Sequence, residues 1–225
     1  IGGGAHPRPG AVSHAHNGVL FLDELPEFQR GVLQALRQPM ESGLVEIHRA
    51  RSRVTYPARF QFVGAANPCR CGRFFDSPTT CSCRPRDRQE YFRRIGGPLL
   101  DRFDLNVVMS RPSRAELKLD TNAEPSAVVA ERVAGARERS RVRLRDTEWT
   151  RNAQISGAWL RRNTLLPSEV EKRLDGVLSL GELSLRAVDK IMRVAWTLAD
   201  LAGHSSPNSG DFHQAFALRE RNNHG

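Results

Sequence analysis

Gly18-Val19-Leu20-Phe21-Leu22-Asp23-Glu24 is the segment from which the rest of the chain is read. Its apolar run does not alternate, which predicts a strand buried on both faces of a parallel sheet, and it ends in two adjacent carboxylates. Open α/β sheets bind ligands at that end of a strand. One acid there can hold the Mg²⁺ of a nucleoside triphosphate, and a second can orient or deprotonate the attacking water. Asp23 is read as the metal ligand and Glu24 as the residue on the water. The plain alternative for two acids after an apolar run is a surface turn.

Two further signals follow in order. A second apolar run, Phe60 to Ala66, ends at Asn67, whose neutral amide can hold the same water or a γ-phosphate. Leu99-Leu100-Asp101-Arg102-Phe103-Asp104 then supplies an arginine on a loop ahead of an expected strand, Leu105 to Met109. An arginine that reaches a neighbouring subunit's phosphate stabilises the charge that develops in phosphoryl transfer. Each signal is weak alone, but the three in this order describe the later half of a nucleotide-hydrolysing site. Between them, Phe28 to Met40 reads as one helix. Leu44 to His48 and Arg53 to Tyr56 read as a hairpin joined by Arg49-Ala50-Arg51-Ser52.

What is missing is equally informative. A phosphate-cradling loop needs Gly-x-x-x-x-Gly-Lys-Ser/Thr, because backbone amides wrap the phosphates and the lysine bridges the last two. The chain has three lysines, Lys118, Lys172 and Lys190, and none has that setting. Ile1-Gly2-Gly3-Gly4 is glycine-rich but lacks the lysine and a preceding strand. These observations, with a first residue other than methionine, predict a C-terminal portion of a longer protein. The 225 residues alone are then expected to bind ATP poorly or not at all.

The length suffices for one large or two small domains with real cores. No apolar stretch approaches the roughly 20 residues that span a bilayer, so a cytoplasmic protein without membrane contact is expected. The net charge of +9 and pI near 10.4 favour a polyanion as partner, with nucleic acid foremost. The alternative is that the arginines serve subunit interfaces, the nucleotide or only the composition.

The four cysteines form two Cys-x-Cys pairs, Cys69/Cys71 and Cys81/Cys83, nine residues apart. In a cytosolic chain, clustered thiols point to tetrahedral zinc, with a redox pair and free thiols as the alternatives. Zinc held by all four sulfurs is structural, because no coordination position stays open. It would staple a basic loop carrying Arg70, Arg73, Arg84, Arg86 and Arg88.

After Met109 the composition shifts. Residues 1–110 read as the ATPase core, 111–125 as a linker and 126–225 as a helical domain. Ser126 to Leu144 is an arginine-rich helix with arginine on both faces, the mark of a solvated helix. Ser168 to Leu174, Leu185 to Ala202 and Phe212 to Arg219 complete a bundle; Ser184 caps the second of these and Gly203 ends it.

The segments His16 to Leu25, Ala65-Ala66-Asn67-Pro68-Cys69-Arg70-Cys71-Gly72 and Gly97 to Leu105 resemble the Mg-chelatase-like AAA+ ATPases, in particular the ComM/YifB branch. The resemblance implies an α/β fold, the C-terminal part of a P-loop NTPase domain with an incomplete parallel sheet, followed by an all-α lid. It implies that Asp23 and Glu24 are the Walker B acids, Asn67 is sensor 1, Arg102 is the arginine finger and Arg186 is sensor 2. It implies Mg-ATP as cofactor and assembly into a ring, a hexamer, in the complete protein. Hairpins in that family point into the ring's pore, so Arg49, Arg51 and Arg53 are candidate DNA contacts, against ordinary exposed hairpin charge. The function implied is ATP hydrolysis coupled to remodelling or translocation on DNA. The alternatives are an ATPase subunit of a magnesium-inserting complex and a zinc-stapled nucleic-acid adaptor.

Overall fold

The computed structural model describes residues 2–3, 7–49, 52–74, 80–109, 112 and 124–219. They form two compact units that divide between Phe103 and Asp104, with Asp104–Val108 belonging to the second.

In the first unit, β1 (Gly2–Gly3) and β2 (Arg8–Pro9) form a short antiparallel pair, followed by α1 (Ala11–His14). Then comes β3 (Val19–Leu22), with the acids immediately after it. Helix α2 (Arg30–Ala35) and helix α3 (Arg37–Ser42) occupy the span expected to be one helix. The break at Leu36 has a cause: Pro39 has no N–H for the Ala35 carbonyl, and its ring crowds that turn. Gly43, left-handed at φ 69°, ends α3. The hairpin β4 (Leu44–Arg49) and β5 (Ser52–Pro57) is antiparallel, with Leu44 opposite Pro57 and Arg49 opposite Ser52. Strand β6 (Gln61–Gly64) then pairs in parallel with β3, and α4 (Pro85–Arg93) and α5 (Gly97–Leu100) follow.

The β3–β6 pair corrects one expectation. Leu20 is 7% exposed and faces the core with Leu25, Leu33, Leu36 and Leu99, whereas Val19 and Phe21 are 61% and 57% exposed. This strand is buried on one face only, because no described element covers the other. The strand expected over Leu105 to Met109 is also absent: these residues are irregular, and Val107 and Met109 are exposed. Its polar main chain pairs elsewhere, the Asn106 N–H donating to the Leu218 carbonyl at 2.6 Å.

The second unit is helical: α6 (Ser126–Arg143), α7 (Gly157–Asn163), α8 (Ser168–Ser179), α9 (Leu185–Ala202) and α10 (Ser209–Arg219). Helix α9 runs through its centre, burying Val188, Ile191, Met192, Ala195 and Trp196 against Leu160, Val170, Leu174, Phe212 and Phe216. Its ends follow the sequence, since Ser184 Oγ accepts from the Ala187 N–H at 3.2 Å and Gly203 is left-handed. Helix α6 is exposed along most of its length, as expected, and docks on the bundle through Ala136, Ser140 and Arg143. Arg143 makes a two-pronged pair with Asp200, at 2.5 and 2.8 Å, and lies over the Trp196 ring. Asn152, itself buried, bonds Asp200 as well, at 2.8 Å. No helix among the described residues is long and apolar enough to cross a membrane.

Candidate active site

Strand pairing brings the first two sequence signals together. Leu22, the last residue of β3, stands opposite Gly64, the last of β6, so Asp23-Glu24 and Asn67 follow the same end of the parallel pair. Two main-chain bonds fix these exits: the Ala65 N–H donates to the Leu22 carbonyl at 2.8 Å, and the Leu25 N–H to the Ala65 carbonyl at 3.0 Å. Asp23, Glu24 and Asn67 are all exposed.

Glu24 has a left-handed backbone, φ 52° and ψ 43°. That conformation costs a side-chain-bearing residue about 1–2 kcal/mol. It persists because both flanks hold it. Its N–H donates to Asp23 Oδ1 at 2.8 Å, and its carbonyl accepts from the Glu27 N–H at 2.8 Å, opening the 3-10 turn Leu25–Glu27. Non-glycine strain of this kind collects where a side chain must be aimed. The result is a pair of solvent-facing acids on a rigid turn. The donor set fits Mg²⁺, a hard cation that takes one or two carboxylates beside phosphate oxygens and water.

Sequence reasoning missed the support beneath the turn. Helix α4 packs against it and brings the buried Tyr91 beside Glu27, while Arg94 at the end of the helix pairs with Glu27 Oε2 at 3.5 Å. Burial first, and then the Glu27 carboxylate, holds the Tyr91 phenol above its usual pKa. No motif marks this pair; only the packing reveals it.

Arg102 lies just beyond α5. Phe103 next to it stacks on Phe62 of β6 with ring centres 5.0 Å apart. The guanidinium is turned back into its own unit: it is 15% exposed, pairs with Glu41 of α3 and donates to the Pro98 carbonyl at 3.3 Å. Glu41 is a second residue with no sequence signal. Arg186 sits exposed in the first turn of α9, in the helical unit.

The cysteines converge. Their four sulfurs all lie within 4.8 Å of one another, with Cys69 to Cys71 at 3.4 Å, Cys69 to Cys81 at 3.8 Å and Cys71 to Cys81 at 3.6 Å; none is disulfide-bonded. A tetrahedral shell with Zn–S bonds near 2.3 Å puts its sulfurs about 3.8 Å apart, so the donor set fits zinc. The Arg73 main-chain N–H and the Cys69 side chain bring the Cys71 thiol down to about 6. The Gly72 N–H closes a tight turn onto the Cys69 carbonyl at 3.0 Å, and Arg88 ties α4 to the Cys83 carbonyl at 2.9 Å. The cluster therefore bridges Asn67, two residues before it, and α4, which starts two residues after it.

Of the hairpin arginines, Arg49 ends β4, and Arg51 lies outside the described residues. Arg53 pairs across the strands with Glu46 at 2.9 Å, and that contact holds the Glu46 carboxyl below its usual pKa.

The profile described as magnesium chelatase, subunit ChlI, matches residues 1–117, and that of the ChlI C-terminal region matches residues 123–219. The chain is 44% identical to Rv2897c of Mycobacterium tuberculosis over 219 residues, 97% of this chain and 43% of that protein. It is 44% identical to YifB of Escherichia coli over 202 residues, 89% of this chain and 39% of YifB. It is 41% identical to the competence protein ComM of Haemophilus influenzae over 204 residues, 90% of this chain and 39% of ComM. The chain thus spans about two fifths of the length of these relatives.

Proposed function

The chain belongs to the magnesium chelatase ChlI family of AAA+ proteins, and we propose that it forms the hydrolytic half of an ATP-driven DNA-remodelling machine whose phosphate-cradling loop comes from outside these residues. The observation that carries this reading is the convergence of Asp23, Glu24 and Asn67 at one end of the β3–β6 pair.

In this reading Asp23, with Oδ1 engaged by the Glu24 N–H, offers Oδ2 to the metal. Bound Mg²⁺ would neutralise charge building on the transferred phosphate. Glu24, aimed by its left-handed backbone, orients the attacking water and accepts its proton. Asn67 holds that water without adding charge. Arg102 leaves Glu41 to reach the γ-phosphate held by a neighbouring subunit, so assembly into a ring completes each site. Arg186, from the helical unit, senses the γ-phosphate of the chain's own site. DNA is the polyanion for the +9 charge, with Arg49, Arg51 and Arg53 as contacts.

The cysteine cluster is a structural zinc site in this account. Sulfur spacing supports it, as does the cluster's place between Asn67 and the helix that buttresses Glu27. Glu24→Gln in the full-length protein tests the catalytic assignment: ATP binding within about twofold of the parent with hydrolysis reduced at least a hundredfold is expected, and unaltered turnover refutes it.

A further inference from the structure

We propose that Lys190 is a positioning residue for the arginine finger: through its ion pair with Asp104 it makes the main chain beside Arg102 move with the helix that carries Arg186. The inference rests on the assignment of Arg102 and Arg186 made above.

Three contacts carry it. Lys190, in the second turn of α9, is 8% exposed, and its Nζ lies 3.0 Å from Asp104 Oδ1. Two residues on, the Asn106 N–H donates to the Leu218 carbonyl at 2.6 Å, and Asn106 Nδ2 donates to the Arg219 carbonyl at 3.3 Å. Residues 104–106 are thus fixed to α9 and to the end of α10. Arg102 and Phe103 belong to the other unit, where they meet Glu41 and Phe62. The chain passes from one unit to the other between Phe103 and Asp104, two residues from the guanidinium that must change partners.

The choice of groups makes this connection stiff. Lys190 is buried and its ion pair with Asp104 helps to keep the ammonium charged there, so the pair ties Asp104 to α9. Burial works against the charge of Lys190 and Asp104 favours it, while Arg219 and Arg186 oppose it from nearby. Asp104 thus offsets part of the crowding of cations at this point. Lys190 stands four residues after Arg186, one turn along the same face of α9. A displacement of α9 that follows Arg186 engaging a phosphate is transmitted to Asp104 and from there to Arg102. Nucleotide state at one site is linked in this way to the finger that serves the next.

The test uses the full-length protein under conditions in which it assembles. Lys190→Met should lower kcat at least fivefold while the KM for ATP stays within twofold. Asp104→Ala should do the same, and Asp104→Glu, which keeps the pair, should retain most of the turnover. The decisive readout is a double-mutant cycle: on an Arg102→Ala background, Lys190→Met should lower the residual turnover no further. An equal further fall, or an unchanged kcat in the single variant, overturns the inference. If Lys190→Met does not fold, Asp104→Ala carries the same cycle, because the Asp104 side chain is 62% exposed and supports no core. If Arg102→Ala itself leaves turnover unchanged, the finger assignment fails and this inference fails with it. If Arg102→Ala abolishes turnover and neither partner of the pair matters, only the inference fails.

Discussion

The main-chain N–H of Leu25 donates to the carbonyl of Ala65 at 3.0 Å, joining the residue after Glu24 to a residue two before Asn67. This bond makes one rigid structure of two strand exits separated by some forty residues of chain. Gly64 is what lets them approach: a Cβ there would lie 2.5 Å from Leu25 Cδ1 and 3.1 Å from the Phe103 ring. Gly64→Ala should therefore cost about 1–3 kcal/mol of stability, as overpacking of a filled core does. It should also lower turnover, since relief requires Leu25 or Phe103 to move. Chemical denaturation alongside ATPase assays checks both effects.

Arg102, the proposed finger, is paired with Glu41. A half-exposed ion pair of this kind contributes about 0.2–1 kcal/mol. Glu41→Gln should free the finger and raise kcat by up to about fivefold, the rate equivalent of 1 kcal/mol. Arg102→Ala should lower kcat by about a thousandfold or more, as loss of such fingers does. Steady-state kinetics on the assembled protein separates the two directions.

Metal analysis of purified protein should find one zinc per chain. Removing it with a strong chelator, or replacing Cys81 with serine, should lower the unfolding temperature of the first unit. Turnover should fall too, because the cluster sits between Asn67 and the helix that holds Glu27.

Asp200 anchors the helical unit through the polar group most deeply buried there, with both its oxygens engaged by Arg143 and one of them by Asn152. Asp200→Ala leaves Arg143, itself 16% exposed, without its anion. Loss of one partner of such a buried pair costs about 3–5 kcal/mol. The helical unit should unfold at markedly lower denaturant in this variant, with double replacement of Arg143 and Asp200 by apolar residues recovering part of the loss.

Much of this architecture is legible in the sequence where local chemistry dictates it. The caps of α9 at Ser184 and Gly203, its buried stripe from Val188 to Ala195, and the apolar runs ending at Asp23 and Asn67 all follow from residue type and spacing. Pro39 was a visible breaker within the span read as one helix. What stayed illegible depends on partners distant in sequence. Nothing near Arg143 announces Asp200, nothing near Glu27 announces Tyr91, and Glu41 and Asp104 carry no motif role of their own. The exposed face of β3 could not be foreseen either, because an apolar run records what a strand prefers to meet and not whether a neighbour is present.

The most direct test of the account is the ATPase rate of the full-length protein at fixed low salt, with and without single-stranded or branched DNA. Stimulation of several-fold or more by DNA, abolished by Glu24→Gln and weakened by replacing Arg49, Arg51 and Arg53, is the expected result. Turnover indifferent to DNA would contradict the DNA-coupled reading and favour a metal-inserting ATPase, and no turnover at all would leave a zinc-stapled adaptor.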